Sequence, residues 1–325
     1  MGRGSPCISQ MRWNEMRTLI FGGSGLIGSA VARFFQTRGA DVFVPSHQEC
    51  DVSAVNQVSE TVNRLQPSLV VMANGRTGGL QENLERPASL FLDNLEQITG
   101  SFRALVDTSV RKVIFFGSSC MYPTDAPQPF SESDLFTGLP EKSSLSYAIT
   151  KMAGVQGCLA MNQQYQGLQF IPVIPNSVFG PGDNFSKTGS HVLAAMVRRM
   201  HEAKANHAEA VTIWGSGKPF REFIYCEDLA SAVYKLVNQE NLPRDRLFNV
   251  GSGYELSICD LAHLIAEVVG FEGNILTDLG KPDGAGRKLL DSSFVRSLGW
   301  EASPDFRDQI EQTYSWFLNN EVNQC

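Results

Sequence analysis

The 325-residue chain has no apolar run of about 18 residues, the length a helix needs to cross a bilayer, so no membrane partner is expected. Its seven cysteines, at 7, 50, 120, 158, 226, 259 and 325, include no Cys-x-x-Cys pair, and their number is odd. That pattern speaks against a disulfide framework and for a reducing compartment, with a cytoplasmic location as the expectation. Five histidines without close pairing offer no metal site. Positive charge is not in excess either: 27 Lys and Arg face 34 Asp and Glu, a net charge of -7. A nucleic-acid backbone is therefore not expected as the main partner, although a local basic pocket for a small anion stays open. The first 15 residues lack the apolar core of a secretory signal and read as a tail outside the fold, with Met11 and Met16 as alternative starts.

What is present is an α/β pattern. Short apolar runs at 18–21, 41–44, 69–72 and 113–116 are spaced by helical stretches, the first at 26–37 with Leu26, Val31, Phe34 and Phe35 on one face. Wholly apolar strands separated by helices indicate a parallel sheet covered on both faces, with ligands at the carboxyl ends of its strands. The expected fold is a Rossmann-type doubly wound parallel sheet over 16–180, then a smaller C-terminal α/β substrate domain over 181–325. A strand-plus-helix segment near 222–250 is expected to rejoin the main sheet. In the second half, 192–201 reads as a basic amphipathic helix and 211–214 as a strand. Ser257 with Asp260 reads as a capping box before a helix over 261–269. A last helix carries Phe306, Ile310, Tyr314 and Phe317 at core-facing spacing.

Gly22, Gly25 and Gly28 form G-x-x-G-x-x-G between the first strand and the first helix. A helix N-terminus there offers free N–H groups and positive potential to a pyrophosphate, and glycine allows close approach. The bland alternative is an ordinary strand-to-helix turn. Ser24, Leu26 and Ile27 in the loop, and Asp51 beyond the second strand, are placed among the cofactor-contacting positions. The tip of that strand reads Pro45-Ser46-His47-Gln48, with Glu49 the nearest acid. An NAD site usually carries an acid there, so NADP(H) is the expected cofactor.

Tyr147 and Lys151 are four residues apart, hence on one face of a helix. A phenol with its ordinary pKa of about 10 is a poor acid–base group at neutral pH, and a neighbouring ammonium is expected to lower that value. Ser118 and Cys120 follow the strand ending at Phe116. A serine there could simply cap a turn, and a lone cysteine is more often structural. His191 has a near-neutral pKa suited to proton transfer, or caps the helix it begins. Arg198, Arg199 and Arg221 could fork onto a diphosphate or form a solvated face.

Longer runs carry a resemblance. They are Gly-Ser-Ser-Cys-Met-Tyr-Pro at 117–123, Ser-Tyr-Ala-Ile-Thr-Lys-Met-Ala-Gly at 146–154 and Ile-Pro-Asn-Ser-Val-Phe-Gly-Pro-Gly-Asp-Asn-Phe at 174–185. Further on come Ser-His-Val-Leu at 190–193, Trp-Gly-Ser-Gly-Lys-Pro-Phe-Arg-Glu-Phe at 214–223 and Lys-Pro-Asp-Gly-Ala-Gly-Arg-Lys-Leu-Leu-Asp at 281–291. From about residue 17 to the last helix the chain resembles the GDP-L-fucose synthase family, within the extended short-chain dehydrogenase/reductases. The resemblance implies a bifunctional enzyme that epimerises carbons 3 and 5 of GDP-4-keto-6-deoxymannose and reduces carbon 4 with NADPH. It implies Cys120 and His191 as the epimerase acid–base pair, Ser118 and Tyr147 on the keto oxygen, and Lys151 on the nicotinamide ribose. Asn176 and His191 join the cofactor contacts, and Asn176, Arg199, Trp214, Arg221 and Lys281 hold the GDP-sugar. A homodimer through two helices per subunit is also implied. Gly154, Gly157 and Ala160 suit such packing, and contact within one subunit explains them equally well.

One stretch departs from the family: residues 74–79 read Asn-Gly-Arg-Thr-Gly-Gly where Ala-Ala-Lys/Met-Val-Gly-Gly is usual. A related GDP-sugar, a 4-ketoreductase without epimerisation, and a dinucleotide-sensing protein without catalysis are the competing expectations. A dehydratase would carry glutamate at the position of Cys120, and a 4-epimerase would need neither Cys120 nor His191.

Overall fold

The computed structural model describes residues 16–78, 80–187, 189–281 and 283–322, with the backbone alone at Leu80 and Gln81. The expected N-terminal tail and the positions Gly79 and Pro282 lie outside the described residues. In chain order the strands are β1 (Arg17–Phe21), β2 (Asp41–Phe43), β3 (Leu69–Met72), β4 (Lys112–Phe116), β5 (Gln169–Pro175), β6 (Ser177–Phe179), β7 (Ala210–Trp214), β8 (Phe220–Tyr225), β9 (Phe248–Val250), β10 (Glu255–Ser257) and β11 (Asn274–Asp278). The helices are α1 (Leu26–Gln36), α2 (Val55–Leu65), α3 (Leu80–Glu85), α4 (Pro87–Leu105), α5 (Leu145–Gln164), α6 (Val192–Ala205), α7 (Cys226–Val237), α8 (Ile258–Val269), α9 (Ser293–Ser297) and α10 (Phe306–Phe317).

Six strands form one parallel sheet in the order β2-β1-β3-β4-β5-β9. Alternation along each strand divides the core into two layers. Leu19, Phe21, Val70, Met72, Val113 and Phe115 point to one face, under α2, α4 and α5, where Val58, Phe102 and Val155 meet them. Ile20, Val71, Ile114 and Ile171 point to the other, where Val31 and Phe35 of α1 and Leu229 and Val233 of α7 pack. Burial on both faces is why these strands read as continuous apolar runs rather than alternating ones.

Of the 222–250 stretch, β9 enters the main sheet beside β5 and α7 packs on α1. The strand before α7 does not: β8 lies in a separate three-stranded sheet, ordered β10-β8-β6. A third, two-stranded parallel sheet pairs β7 with β11. The helix α8 starts at Ile258, three residues before the expected 261, because Ser257 is its N-cap and accepts from the Asp260 N–H. Among the described residues, no helix is long and apolar enough to cross a membrane, and no group of three metal-ligating side chains is found.

The β5–β6 junction crosses from the main sheet to the smaller one at Asn176, and the open end of the fold lies there. The carboxyl ends of β1, β3, β4 and β5 all point at it, so the glycine loop, residues 73–78, the Ser118–Cys120 turn and Asn176 come together by topology alone.

Candidate active site

The glycine loop is shaped by its neighbours. Gly22 has φ +75°, and a Cβ there would meet the Ala73 and Asn74 backbone at 2.6 Å. A Cβ on Gly28 would stand 2.2 Å from the Gly22 carbonyl oxygen. Both positions therefore need glycine for the loop to close over the start of α1. Gly25 is the N-cap of α1, and no side chain caps it, so the first N–H groups of an 11-residue helix stay available. Ser24, Leu26 and Ile27 line this turn. These features fit a dinucleotide pyrophosphate, a cradle that a Cβ would fill.

At the tip of β2, Glu49 is turned back on its own loop: the Ser46 N–H and hydroxyl donate to one carboxylate oxygen at 2.8 and 2.9 Å. Those bonds hold its carboxyl below the usual range. Asp51 accepts from the Ser53 N–H and hydroxyl at 2.9 and 2.7 Å, again a local turn. His47 adds favourable charge beside Asp51.

Ser118 caps a short 3-10 turn, Ser119–Met121, and its hydroxyl accepts from the Cys120 N–H at 3.4 Å. In the first two turns of the facing helix, Tyr147 and Lys151 of α5 are buried, 8% and 5% exposed. Lys151 Nζ donates to the Phe116 carbonyl at 3.0 Å and lies 5.9 Å from the Tyr147 ring centroid. Burial brings the lysine down to about 8. The expectation that this lysine lowers the phenol is overturned: burial, with the Cys120 thiol beside it, pushes the Tyr147 pKa up. The physical reason is that both groups are buried in the same site, where desolvation penalises phenolate and ammonium alike, and the ammonium is spent on a backbone carbonyl.

Cys120 faces both members of that pair. Burial raises its thiol above the ordinary value, the Ser118 hydroxyl and the charges of Lys288 and Lys151 pull it down, and Glu141 pushes it up. His191 is the N-cap of α6, reachable by solvent at the rim but hemmed in enough that desolvation lowers its imidazole pKa. Among the described residues no hydrogen bond joins His191 to Cys120 or Tyr147.

Asn176 is 6% exposed and fully engaged. Its carbonyl accepts from the Ser119 hydroxyl at 2.9 Å, and its amide donates to Glu222 Oε2 at 2.7 Å and to the Lys288 carbonyl at 2.9 Å. Both donors of the side chain are thus used inside the chain. Glu222 is wholly buried, yet its carboxylate also accepts from the Gly253 N–H at 2.7 Å and the Leu290 N–H at 3.1 Å. Burial raises its pKa and those donors oppose the rise. Sequence reasoning missed Glu222, although it stands beside Arg221 in a quoted run.

The cations of the second half are nearby in the fold but engaged within it. Arg199 donates to the Thr212 carbonyl, and Arg198 pairs with Glu202 at 2.9 Å. Arg221 donates to the Phe220 and Ala285 carbonyls at 2.7 and 2.6 Å. Burial lowers both Arg199 and Arg221 from their ordinary values. Trp214, 61% exposed, carries Lys281 Nζ over its ring at 5.3 Å, an open aromatic surface of the kind a nucleobase stacks on. Asp283, in the adjacent loop, accepts from the Ser216 N–H and hydroxyl at 2.8 and 2.7 Å.

The divergent loop is clamped from behind. Arg76 forks between Asp93 and Glu82, and the buried Asn94 side chain grips the Arg76 N–H at 3.0 Å and carbonyl at 2.9 Å. Gly75 consequently lies against Lys151, where a Cβ would stand 3.3 Å from Nζ.

Comparison with known proteins agrees with this fold. Residues 18–251 match the NAD dependent epimerase/dehydratase family. The chain is 41% identical to GDP-L-fucose synthase 1 of Arabidopsis thaliana, over 98% of each protein. Among solved structures it is similar to an NADP-bound GDP-L-fucose synthetase from Naegleria fowleri, 25% identical with TM-score 0.85, covering 94% of this chain and 95% of that one. It is also similar to a GDP-mannoheptose C4 reductase from Campylobacter jejuni with NADP bound, 29% identical with TM-score 0.84, covering 94% and 98%. The chain belongs to the NAD dependent epimerase/dehydratase family and groups there with the GDP-L-fucose synthases.

Proposed function

We propose that this member of the family is an NADP-dependent GDP-sugar epimerase and reductase that converts GDP-4-keto-6-deoxymannose to GDP-L-fucose. One observation carries the reading: a thiol, Cys120, shares a buried site with a tyrosine and a lysine at the carboxyl end of β4. Reduction alone needs the tyrosine and lysine, whereas a thiol among them adds a second group able to take and return a proton.

In this mechanism the Cys120 thiolate takes a proton from the carbon beside the ketone. The C–H electron pair moves into the enolate, whose charge rests on the keto oxygen. Ser118 and Tyr147 donate hydrogen bonds to that oxygen. His191, having taken a proton from solvent at the rim, gives it to the opposite face; the Cys120 thiol then loses its proton and His191 gains another before the exchange, made first at carbon 5, repeats at carbon 3. NADPH, when bound, supplies the hydride for carbon 4. The glycine loop and the start of α1 would hold its pyrophosphate, and Lys151 its nicotinamide ribose. Tyr147 protonates the oxygen as reduction completes. A phenol held in its neutral form by burial is suited to that donor role. Arg199, Arg221, Trp214 and Lys281 take the GDP moiety.

A second reading, a 4-ketoreductase without epimerisation, is favoured by the burial that keeps the Cys120 thiol protonated. Turnover of GDP-4-keto-6-deoxymannose with NADPH in deuterated water separates the two. GDP-fucose deuterated at carbons 3 and 5 is expected. Reduced sugar without deuterium would leave the second reading.

A homodimer through α4 and α5, in a reducing cytoplasm, completes the proposal. Leu95, Thr99 and Ala153 border a shallow groove on that face. Gly154 and Gly157 do not speak for it, since their missing side chains make room for Phe115 and Phe102 of the same chain.

A further inference from the structure

We propose that Glu222 is a positioning residue for the reaction: its carboxylate orients the Asn176 amide, and Asn176 in turn holds the Ser118–Cys120 turn through the Ser119 hydroxyl. The inference rests on the reading of Ser118 and Cys120 as the groups that meet the sugar.

The relay is an unbroken series of hydrogen bonds. Ser119 Oγ donates to Asn176 Oδ1 at 2.9 Å, and Asn176 Nδ2 donates to Glu222 Oε2 at 2.7 Å. Ser119 stands between Ser118 and Cys120, so a bond to its hydroxyl fixes the turn that carries both. All three side chains of the relay are buried, and water does not compete for their bonds. The amide has one allowed orientation. Its nitrogen faces two acceptors, Glu222 Oε2 and the Lys288 carbonyl at 2.9 Å, which leaves its oxygen for Ser119.

Glu222 is held as firmly as it holds. Oε1 accepts from the Gly253 N–H at 2.7 Å, and Oε2 accepts from the Leu290 N–H at 3.1 Å besides the Asn176 amide. All three partners are donors, which suits a carboxylate. The main chain closes over it as well: a Cβ on Gly251 would stand 2.4 Å from Oε1. Glu222 belongs to β8 of the three-stranded sheet, whereas Ser119 follows β4 of the six-stranded one. The relay therefore fastens the turn to the second sheet, and the two oxygens divide the work. Oε2 serves the turn, and Oε1 serves only the 251–253 loop.

That division supplies the test. Glu222→Met removes both oxygens. Glu222→Gln keeps one, and with its amide nitrogen toward Gly253 the remaining oxygen still accepts from Asn176 and Leu290. Both variants leave the Gly253 N–H unpaired, so both are expected to unfold at lower urea concentration than the parent. Their kinetics are expected to part. Glu222→Met should lower kcat for GDP-4-keto-6-deoxymannose by about tenfold, the scale of a small misplacement of reacting groups, with the sugar KM and the NADPH Kd unchanged. Glu222→Gln should keep the parental kcat. Ser119→Ala, which cuts the far end of the relay, should match Glu222→Met, and the double variant should lose about tenfold rather than the 100-fold of independent sites. Asn176→Leu, cutting the middle link, takes the place of Glu222→Met if that variant does not fold. A parental kcat in Ser119→Ala, an equal loss of kcat in Glu222→Gln and Glu222→Met, or multiplied losses in the double variant would overturn the proposal. Failure of the functional reading shows in the parent enzyme, as absent turnover or deuterium-free product. The relay is then read without substrate, by iodoacetamide alkylation of Cys120 in the NADPH-bound enzyme. A loosened turn should react faster in Ser119→Ala and Glu222→Met and at the parental rate in Glu222→Gln, and equal rates in all four proteins would overturn the relay by itself.

Discussion

The two ends of the site are made of different materials. The cofactor end is backbone: glycines whose side chains would collide with neighbouring main chain, and the uncapped start of α1. The sugar end is side chain, and its cations already have partners. Arg199 and Arg221 hold carbonyls, Lys288 holds Glu141, and Arg76 in the divergent loop holds Asp93 and Glu82. A backbone cradle is preorganised and binds with little rearrangement, whereas the sugar end must exchange internal bonds for ligand bonds. Errors at the first end should therefore be all-or-none, and errors at the second graded.

Four substitutions test that contrast, beginning with the seam between the ends. Tyr147→Phe is expected to lower kcat by about 10³-fold by removing the proton donor, with NADPH affinity unchanged in a fluorescence titration. Loss of cofactor binding in that variant would mean the tyrosine belongs to the cradle. Gly28→Ala puts a methyl on the Gly22 carbonyl, and the Kd for NADPH is expected to rise by about 100-fold, two charge-assisted bonds' worth. If GDP-sugar affinity measured by calorimetry fell equally, the two ends would not be independent. Asp183→Asn is next. This buried carboxyl has one oxygen without a partner, and burial lifts its pKa to about 7. The folded value lies above the unfolded one of about 3.9, so the folded state binds more protons between those pH values and stability falls as pH rises through them. The variant is expected to be about 4 kcal/mol more stable at pH 8 and no different at pH 3.5, checked by urea unfolding. Arg221→Met is expected to raise KM for the sugar by about tenfold with kcat and the NADPH KM little changed, because Arg221 must release two carbonyls before it binds anything. A large fall in kcat would show that its place is in the chemistry.

The same contrast explains what could be read from residues alone. Strands β1, β3 and β4 and helix α1 follow from apolar runs and period, because burial on both faces leaves no choice of pattern. The glycine loop is legible for the same reason, since steric necessity is written in residue type. Glu222 was not, because besides the Asn176 amide its partners are main-chain N–H groups at 253 and 290 that no residue type announces. Lys288 and Glu141 are 147 positions apart, and nothing local marks either as the other's counter-charge. The acidity of Tyr147 was misjudged on the same account: spacing along α5 sets its distance to Lys151, and burial by residues far away sets the sign of the shift.

The stitch between Phe130 and the segment at 289–291 bears on biosynthesis. The Phe130 N–H bonds the Leu289 carbonyl at 2.8 Å, and the Asp291 N–H bonds the Phe130 carbonyl at 2.9 Å. Closing a loop that long has an entropic cost that must be met before its contacts return anything. A nascent chain therefore presents β1 to β5 and α5 to the cell before Lys288 exists. During that interval Asn176 lacks one of its acceptors, the Lys288 carbonyl, so the polar network of the site closes only when its last segment docks.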